Sequence, residues 1–218
     1  MTTEVKTTEI QPPRRHNPWV LASLAILAAG GLGVGIYLLF FQTYHYAVVK
    51  EGVLYRTGNR SMVQFSTTVR QVKPRTVVIL VGDTEIDDEP FKTEVQYLQR
   101  KGIKTERIPV PFGKGVPTTD DVRRFLSIVQ EPKNQPVLVH CAQGILRTGM
   151  MVAAYQESEL GMTPEQAKAA VERFERSEGG RPVQMINRFI DNYDPARRVV
   201  KDPAKVVGAD ANAGAIAE

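Results

Sequence analysis

The one cysteine in the chain stands in the segment Val137-Leu138-Val139-His140-Cys141-Ala142-Gln143-Gly144-Ile145-Leu146-Arg147-Thr148-Gly149. It lies between an apolar run and the start of a helix-forming stretch. Successive backbone N–H groups that run into a helix N-terminus make an anion site. The same donors favour a thiolate over a thiol, which lowers the pKa of a cysteine and arms it as a nucleophile. Arg147 presents a planar fork suited to two oxygens of a phosphate. Gly144 removes a side chain where the loop must bend around the anion. A buried structural cysteine is the plainer alternative, since free cysteine is among the most buried residue types. The apolar run, His140, Gly144, Thr148 and the following helix together fit a working loop better. A metal is not expected, because His16, His45, His140 and Cys141 form no ligand cluster in the sequence. The lone cysteine equally excludes an internal disulfide framework.

The elements that must position this loop are legible on both sides of it. Val137–His140, after Pro136, reads as a buried strand, and a helix follows from about Thr148 to Leu160, ended by Gly161. Upstream, Thr76–Val81 is a β-branched run ending at Gly82. Phe91, Val95 and Leu98 recur at helical spacing before Gly102, and Lys104–Val110 reads as a second strand. Thr118 caps a helix with Asp121 at its third position and the apolar stripe Val122, Phe125, Leu126 and Val129. Downstream, Thr163-Pro164-Glu165-Gln166 is a capping box opening a helix that runs to about Glu178, and a last helix covers Val183–Tyr193. This alternation predicts an α/β domain over residues 51–196, with a central, mostly parallel sheet flanked by helices. Ligands in such sheets bind beyond the carboxyl ends of the strands, which is where Cys141 falls.

The chain has 218 residues, of which 42% are hydrophobic and 24% charged, close enough to globular averages to exclude a wholly disordered or polytopic membrane protein. Its net charge of +4 is too small to point to a nucleic-acid partner. The average hides two unlike regions. The run Trp19–Phe41 contains no charged residue, and at ~1.5 Å per residue it spans a ~30 Å hydrocarbon core. Trp19 at one end and Tyr37, Tyr44 and Tyr46 near the other fit interfacial belts. A cleaved signal peptide fits less well, since its apolar core is only ~7–15 residues long. The expected order is therefore a polar tail (1–18), a transmembrane helix (19–41), a juxtamembrane linker (42–50), the domain (51–196) and a disordered tail (197–218). Gly31 and Gly35 form a GxxxG pair through which two helices would make a homodimer; small residues facing lipid account for it equally well. Arg14 and Arg15 lie closer to the apolar run than Lys50 does, which by the positive-inside rule sets the domain outside the cytoplasm.

His140-Cys141, five residues, then Arg147-Thr148 resembles the HCx5R(S/T) signature of the cysteine-dependent protein tyrosine and dual-specificity phosphatases. Gly52-Val53-Leu54-Tyr55-Arg56-Thr57-Gly58 is similar to the first strand of their small bacterial and atypical dual-specificity members. The order of strands and helices to about Asp194 is also theirs, so the resemblance covers about two-thirds of the chain. It implies a dual-specificity-phosphatase-like fold and a two-step reaction that needs no cofactor or metal. By that likeness Cys141 attacks phosphorus and water then releases phosphate. Arg147 clamps the phosphoryl oxygens, Thr148 bonds the sulfur, and His140 holds the loop. Ala142, Gln143, Gly144, Ile145 and Leu146 complete the phosphate cradle.

The family's aspartic general acid has no match in the loop where it is expected, Pro111–Pro117, which carries no carboxylate. Asp120 and Asp121 read as helix N-terminal charges; Asp83, Asp87 and Asp88 read as solvated loop charges. General acid catalysis contributes ~10²–10⁴-fold, so its lack implies a slow enzyme or a substrate with a good leaving group. Relatives acting on inositol phosphates often carry basic residues within the five-residue loop, and Ala142, Gln143, Ile145 and Leu146 supply none. That directs the expectation to phosphotyrosine and other phosphomonoesters on protein, although Lys114 could add charge from the neighbouring loop. The alternative is a pseudophosphatase-like module that binds phosphorylated partners with little turnover; the intact Cys141, Arg147 and Thr148 weigh against it. Sulfur transfer by a rhodanese-like loop ranks third.

Overall fold

The apolar run near the N-terminus and the alternating segments after it form separate bodies. In the computed structural model, which describes residues 17–40, 43–111, 115–172 and 180–207, the chain divides into Met1–Phe40 and Phe41–Glu218. The first unit is one helix, α1 (Pro18–Phe40). Proline at its first position costs no hydrogen bond there, and the Asn17 side chain accepts from the Trp19 amide at 3.1 Å. Trp19, Leu24, Ile26, Leu27 and Leu32 are exposed along it. This helix is long and apolar enough to cross a membrane. Most of the polar tail assigned to residues 1–18 lies outside the described residues.

The second unit is built on a five-stranded sheet. Its elements run β1 (Ala47–Lys50), β2 (Leu54–Gly58), α2 (Met62–Val72), β3 (Thr76–Ile79), α3 (Phe91–Arg100), β4 (Lys104–Arg107), α4 (Thr119–Gln130), β5 (Val137–Cys141), α5 (Leu146–Glu159), α6 (Pro164–Glu172), α7 (Arg181–Asn192), β6 (Tyr193–Asp194), β7 (Val199–Val200) and α8 (Pro203–Val207). The sheet order is β1-β2-β5-β3-β4, parallel throughout except for the antiparallel edge strand β1. The expected α/β class and mostly parallel sheet are both present.

Strand side chains alternate between faces, and the two faces carry separate cores. Leu54, Val78, Val137 and Val139 pack with α4, α5, α6 and α7 through Phe125, Met150, Met151, Val171, Ile186 and Phe189. Tyr55, Val77, Ile79 and Leu138 point the other way, onto Phe65 and Val69 of α2 and Phe91 and Leu98 of α3. Burying a central strand on both faces removes the polar half of the alternation, which is why Val137–His140 reads as a continuous apolar run.

Two boundaries differ from the sequence expectation. The linker assigned to residues 42–50 contains β1, and its Tyr44 carbonyl accepts from the Gly58 amide at 2.8 Å, so this stretch belongs to the sheet. The disordered tail assigned to 197–218 instead contains β7 and α8 as far as residue 207, because Val200 and Val206 are buried in the main core. The helix α6 is described only to Glu172, short of the expected Glu178, and residues 173–179 lie outside the described ones. Besides α8, the helix α2 is also unexpected, since its Thr67, Thr68 and Val69 are poor helix formers. It is held by Ser61 at its N-cap and by burial of Phe65, Val69 and Val72 on one face.

On α5, Glu157 is buried and one of its carboxyl oxygens has no hydrogen-bond partner among the described residues. Burial first, then the neighbouring Asp191 charge, pushes its pKa up to about 7, with Lys168 opposing. A carboxyl whose folded pKa lies above its unfolded value opposes folding increasingly as pH rises from the unfolded pKa to the folded one. Glu157→Gln is therefore expected to stabilise the domain by ~1–2 kcal/mol at about pH 8, with solvent screening allowed for, and hardly at about pH 4. Thermal unfolding at the two pH values checks this; equal changes at both would contradict it.

Candidate active site

The central strand β5 is flanked by β2 on one side and β3 on the other, so the chain leaves it at a switch point where a crevice opens at the strand's carboxyl end. Cys141 ends β5 and Leu146 begins α5, which leaves Ala142–Ile145 as a short loop feeding a helix N-terminus. Cys141 is buried there, beside Arg147 and Thr148 in the first turn of α5.

The loop's carbonyls are tied from outside, one after another. The Asn59 amide donates to the Cys141 and Ala142 carbonyls at 3.2 and 2.9 Å. His45 Nδ1 donates to the Gln143 carbonyl at 2.7 Å, and Arg56 Nη2 to the Gly144 carbonyl at 2.6 Å. A trans peptide plane sets its C=O and N–H in opposite directions. Fixing these four carbonyls outward therefore turns the N–H groups of Ala142, Gln143, Gly144 and Ile145 the other way, to form a nest for an anion. Glycine is required at position 144. Its φ is +72°, and a Cβ there would collide with the backbone of Thr57 and Gly58.

Beneath the loop lies a buried polar chain. His140 Nε2 donates to Glu94 Oε1 at 2.7 Å, its Nδ1 faces the Cys141 carbonyl at 3.3 Å, and Asn59 Nδ2 donates to Glu94 Oε2 at 2.5 Å. Both ring nitrogens face acceptors, so both carry protons when both bonds are made. Burial works against that charge, but Glu94 outweighs it and holds the His140 pKa above its ordinary value. The ring is thus committed to structure. Its position matches the loop-holding part implied by the resemblance.

The sulfur sits in the resulting field. Burial alone would raise the Cys141 pKa; the Arg147 charge, the Thr148 hydroxyl and amide, and the Gly144 amide lower it below the ordinary thiol range. The Gly144 N–H lies 3.2 Å from Sγ. Among the described residues no nitrogen or oxygen partner engages the buried Thr148 hydroxyl. Arg147 is gripped by both oxygens of Glu85, Nη2 to Oε1 at 2.9 Å, and also donates to the Val110 carbonyl at 3.2 Å. Glu85 Oε2 in turn accepts from the Gly82 amide at 2.9 Å. The arrangement provides a thiol whose pKa is lowered, a cradle of amides and an oriented guanidinium, which are the parts needed to attack and hold a phosphoryl group.

The five aspartates considered as general acids are not gathered at the loop. Asp83 pairs with Arg107 at 2.7 Å, Asp87 and Asp88 are exposed, and Asp120 is exposed in the first turn of α4. Asp121 closes the capping box, accepting from the Thr118 amide at 2.9 Å. Of the loop Pro111–Pro117, residues 112–114, and so Lys114, lie outside the described ones. The carboxylate that does reach the site is Glu85, within the run Asp83–Glu89; a search by aspartate alone passes over it. Arg56, Asn59, Glu94 and His45 were likewise not selected as site residues. Arg56 and Asn59 are legible only in that β2 leads straight to them; Glu94 and His45 carry no local signal.

Comparison with known proteins agrees with this geometry. A family model described as a DSP-PTPase phosphatase fused to NAD+ kinase matches residues 66–187. The chain is 38% identical over 84 residues to a tyrosine-protein phosphatase of Autographa californica nuclear polyhedrosis virus, covering 37% of this chain and 48% of the relative. It is 28% identical over 118 residues to an inositol diphosphatase of Oryza sativa subsp. japonica, covering 52% and 53%. The chain thus spans about half the length of these curated relatives. In fold it is similar to the catalytic domain of a PP-IP phosphatase from S. cerevisiae, with a TM-score of 0.57 at 21% identity over 70% of this chain and 87% of that one. It is also similar to TpbA of P. aeruginosa, with a TM-score of 0.51 at 20% identity over 67% and 83%. With the family model spanning more than half of its residues, the chain belongs to the DSP-PTPase phosphatase family.

Proposed function

We propose that this protein is a membrane-anchored phosphatase that hydrolyses phosphomonoesters through a phosphocysteine intermediate. The observation that carries the reading is the loop at the end of β5: a buried cysteine with a lowered pKa, facing amides aligned by four outward-tied carbonyls and flanked by Arg147. In the first step Cys141 Sγ forms a bond to phosphorus as the ester P–O bond breaks, and the leaving oxygen takes up a proton from solvent, which the attacking water of the second step returns. In the second, water attacks phosphorus, the S–P bond breaks and the thiolate returns. Arg147 and the loop amides bind the phosphoryl oxygens, which lie at the equator of the transition state and share its charge. Thr148, with its hydroxyl buried beside the sulfur, stabilises the departing thiolate.

Phosphotyrosine on protein is the favoured substrate, with phosphoserine and phosphothreonine secondary. Ala142, Gln143, Ile145 and Leu146 add no positive charge to the cradle, and Glu85 places a negative one against Arg147. Both features disfavour polyanionic esters such as those named for the inositol diphosphatase relatives. The apolar helix α1 is the anchor, and Arg14 and Arg15 before it orient the domain away from the cytoplasm.

Full-length protein in detergent, assayed with an aryl phosphate and with a phosphorylated peptide in the presence of a chelator, tests the activity. Turnover of both and a trapped phosphocysteine at Cys141 are expected. Phosphate binding without any trapped intermediate would replace this reading by the binding-module alternative. A reporter fused to the C-terminus tests the orientation.

A further inference from the structure

Of the four ties on the loop carbonyls, three come from residues on or next to β2, within the sheet. The fourth comes from the segment that joins α1 to β1. His45 stands five positions beyond Phe40, and its Nδ1 donates to the Gln143 carbonyl at 2.7 Å. That carbonyl belongs to the same peptide plane as the Gly144 N–H, which lies 3.2 Å from Cys141 Sγ. One rigid plane therefore connects the linker imidazole to the nucleophile.

Three further features fix His45 in place. Its backbone φ is +51°, a sparsely populated conformation for a residue with a Cβ, which persists where its surroundings impose it. The Tyr44 ring stacks on the imidazole with centroids 4.2 Å apart, and the Arg60 guanidinium lies 5.8 Å from the Tyr44 ring centroid on its face. The Tyr44 carbonyl accepts from the Gly58 amide at 2.8 Å and from Thr57 Oγ1 at 3.0 Å. Gly58 has no room for a Cβ, which would run into both the Gln143 backbone and the Tyr44 ring. Linker, β2 and catalytic loop are packed to contact at this point.

We propose that the segment joining the apolar helix to the sheet is a working part of the catalytic loop, with His45 as a positioning residue that fixes the Gln143–Gly144 peptide toward Cys141. This rests on the phosphatase reading only for its kinetic consequence; the orientation of the amide toward sulfur is a property of the resting protein. The carbonyl of Gln143 only accepts, so His45 must donate from Nδ1, and its role depends on an N–H at that place rather than on charge or bulk.

The test uses the full chain in detergent and reads the pH dependence of Cys141 alkylation by iodoacetate together with kcat and KM for an aryl phosphate. His45→Gly accepts the positive φ and removes the donor. His45→Asn also tolerates that φ and places an amide N–H close to where Nδ1 lies. The glycine variant is expected to move the alkylation midpoint upward and to lower kcat about tenfold, the scale of one lost hydrogen bond, with KM little changed. The asparagine variant should recover most of both. If the glycine variant does not fold, His45→Phe, which keeps the ring stack without a donor, is expected to show the same two changes. A midpoint and kcat equal to wild type in the variant lacking the donor would overturn the proposal, as would an asparagine variant no better than it. Wild-type protein without turnover, but with a thiol midpoint that depends on His45, would overturn the phosphatase reading and support the positioning role.

Discussion

Cys141→Ser is expected to lower turnover of an aryl phosphate by roughly 10⁴–10⁶-fold, the scale on which loss of a catalytic nucleophile falls. The alcohol is not ionised at neutral pH, and no residue of Ala142–Leu146 carries a base for it, while the neighbouring His140 is buried with its Nε2 on Glu94. The cradle should survive the change. The four carbonyl ties and the Arg147–Glu85 pair do not involve the sulfur, so inorganic phosphate is expected to bind about as well as to the wild type. The two readouts separate nucleophile from binding site. Turnover that survives the substitution would sink the phosphocysteine mechanism, whereas loss of phosphate binding would mean that the sulfur organises the loop.

Arg147→Lys is expected to cost roughly 10²–10³-fold in kcat/KM, as for removal of a strong donor to a developing oxyanion. Lysine keeps a positive charge but not the planar fork, and it cannot hold both Glu85 oxygens and two phosphoryl oxygens at once. A second effect has a defined sign. After burial, which opposes ionisation, the Arg147 charge is the foremost influence on the Cys141 pKa and lowers it. A weaker or misplaced charge lets that pKa rise, so the acid limb of the pH–rate profile should move to higher pH. A profile that moves to lower pH, or a loss of less than about threefold, would show that Arg147 does not carry the transition-state charge.

The signature segment was legible because its chemistry is local. An apolar strand, a cysteine, a glycine able to take a positive φ and a helix start all fall within Val137–Thr148, and the structure places them at the end of the central strand. The same holds for the capping box at Thr118 and Asp121, formed by residues three apart. Glu85 was passed over for a different reason. It lies among exposed acidic residues, and only the fold turns it, rather than Asp83, Asp87 or Asp88, onto Arg147, 62 positions away. Asp83 meets Arg107 instead. The linker and the C-terminal tail were misjudged because short β and helical segments there are stabilised by burial of single residues, Val200 and Val206 among them, rather than by any periodicity of their own.

By itself, the sequence determined the class of fold, the loop cysteine with its arginine and glycine, and an apolar helix of membrane-spanning length. Each of these is encoded by residues close together in the chain, where periodicity and spacing translate directly into geometry. Which groups hold the loop open was decided by tertiary structure alone. His45, Arg56 and Asn59 reach the carbonyls of residues 141–144 across more than 80 positions of sequence, and Glu94 reaches His140 across 46. Backbone acceptors carry no residue identity, so no motif announces the donors that will meet them. They come together only because β2 pairs with β5 and carries the stretch between α1 and β1 alongside it.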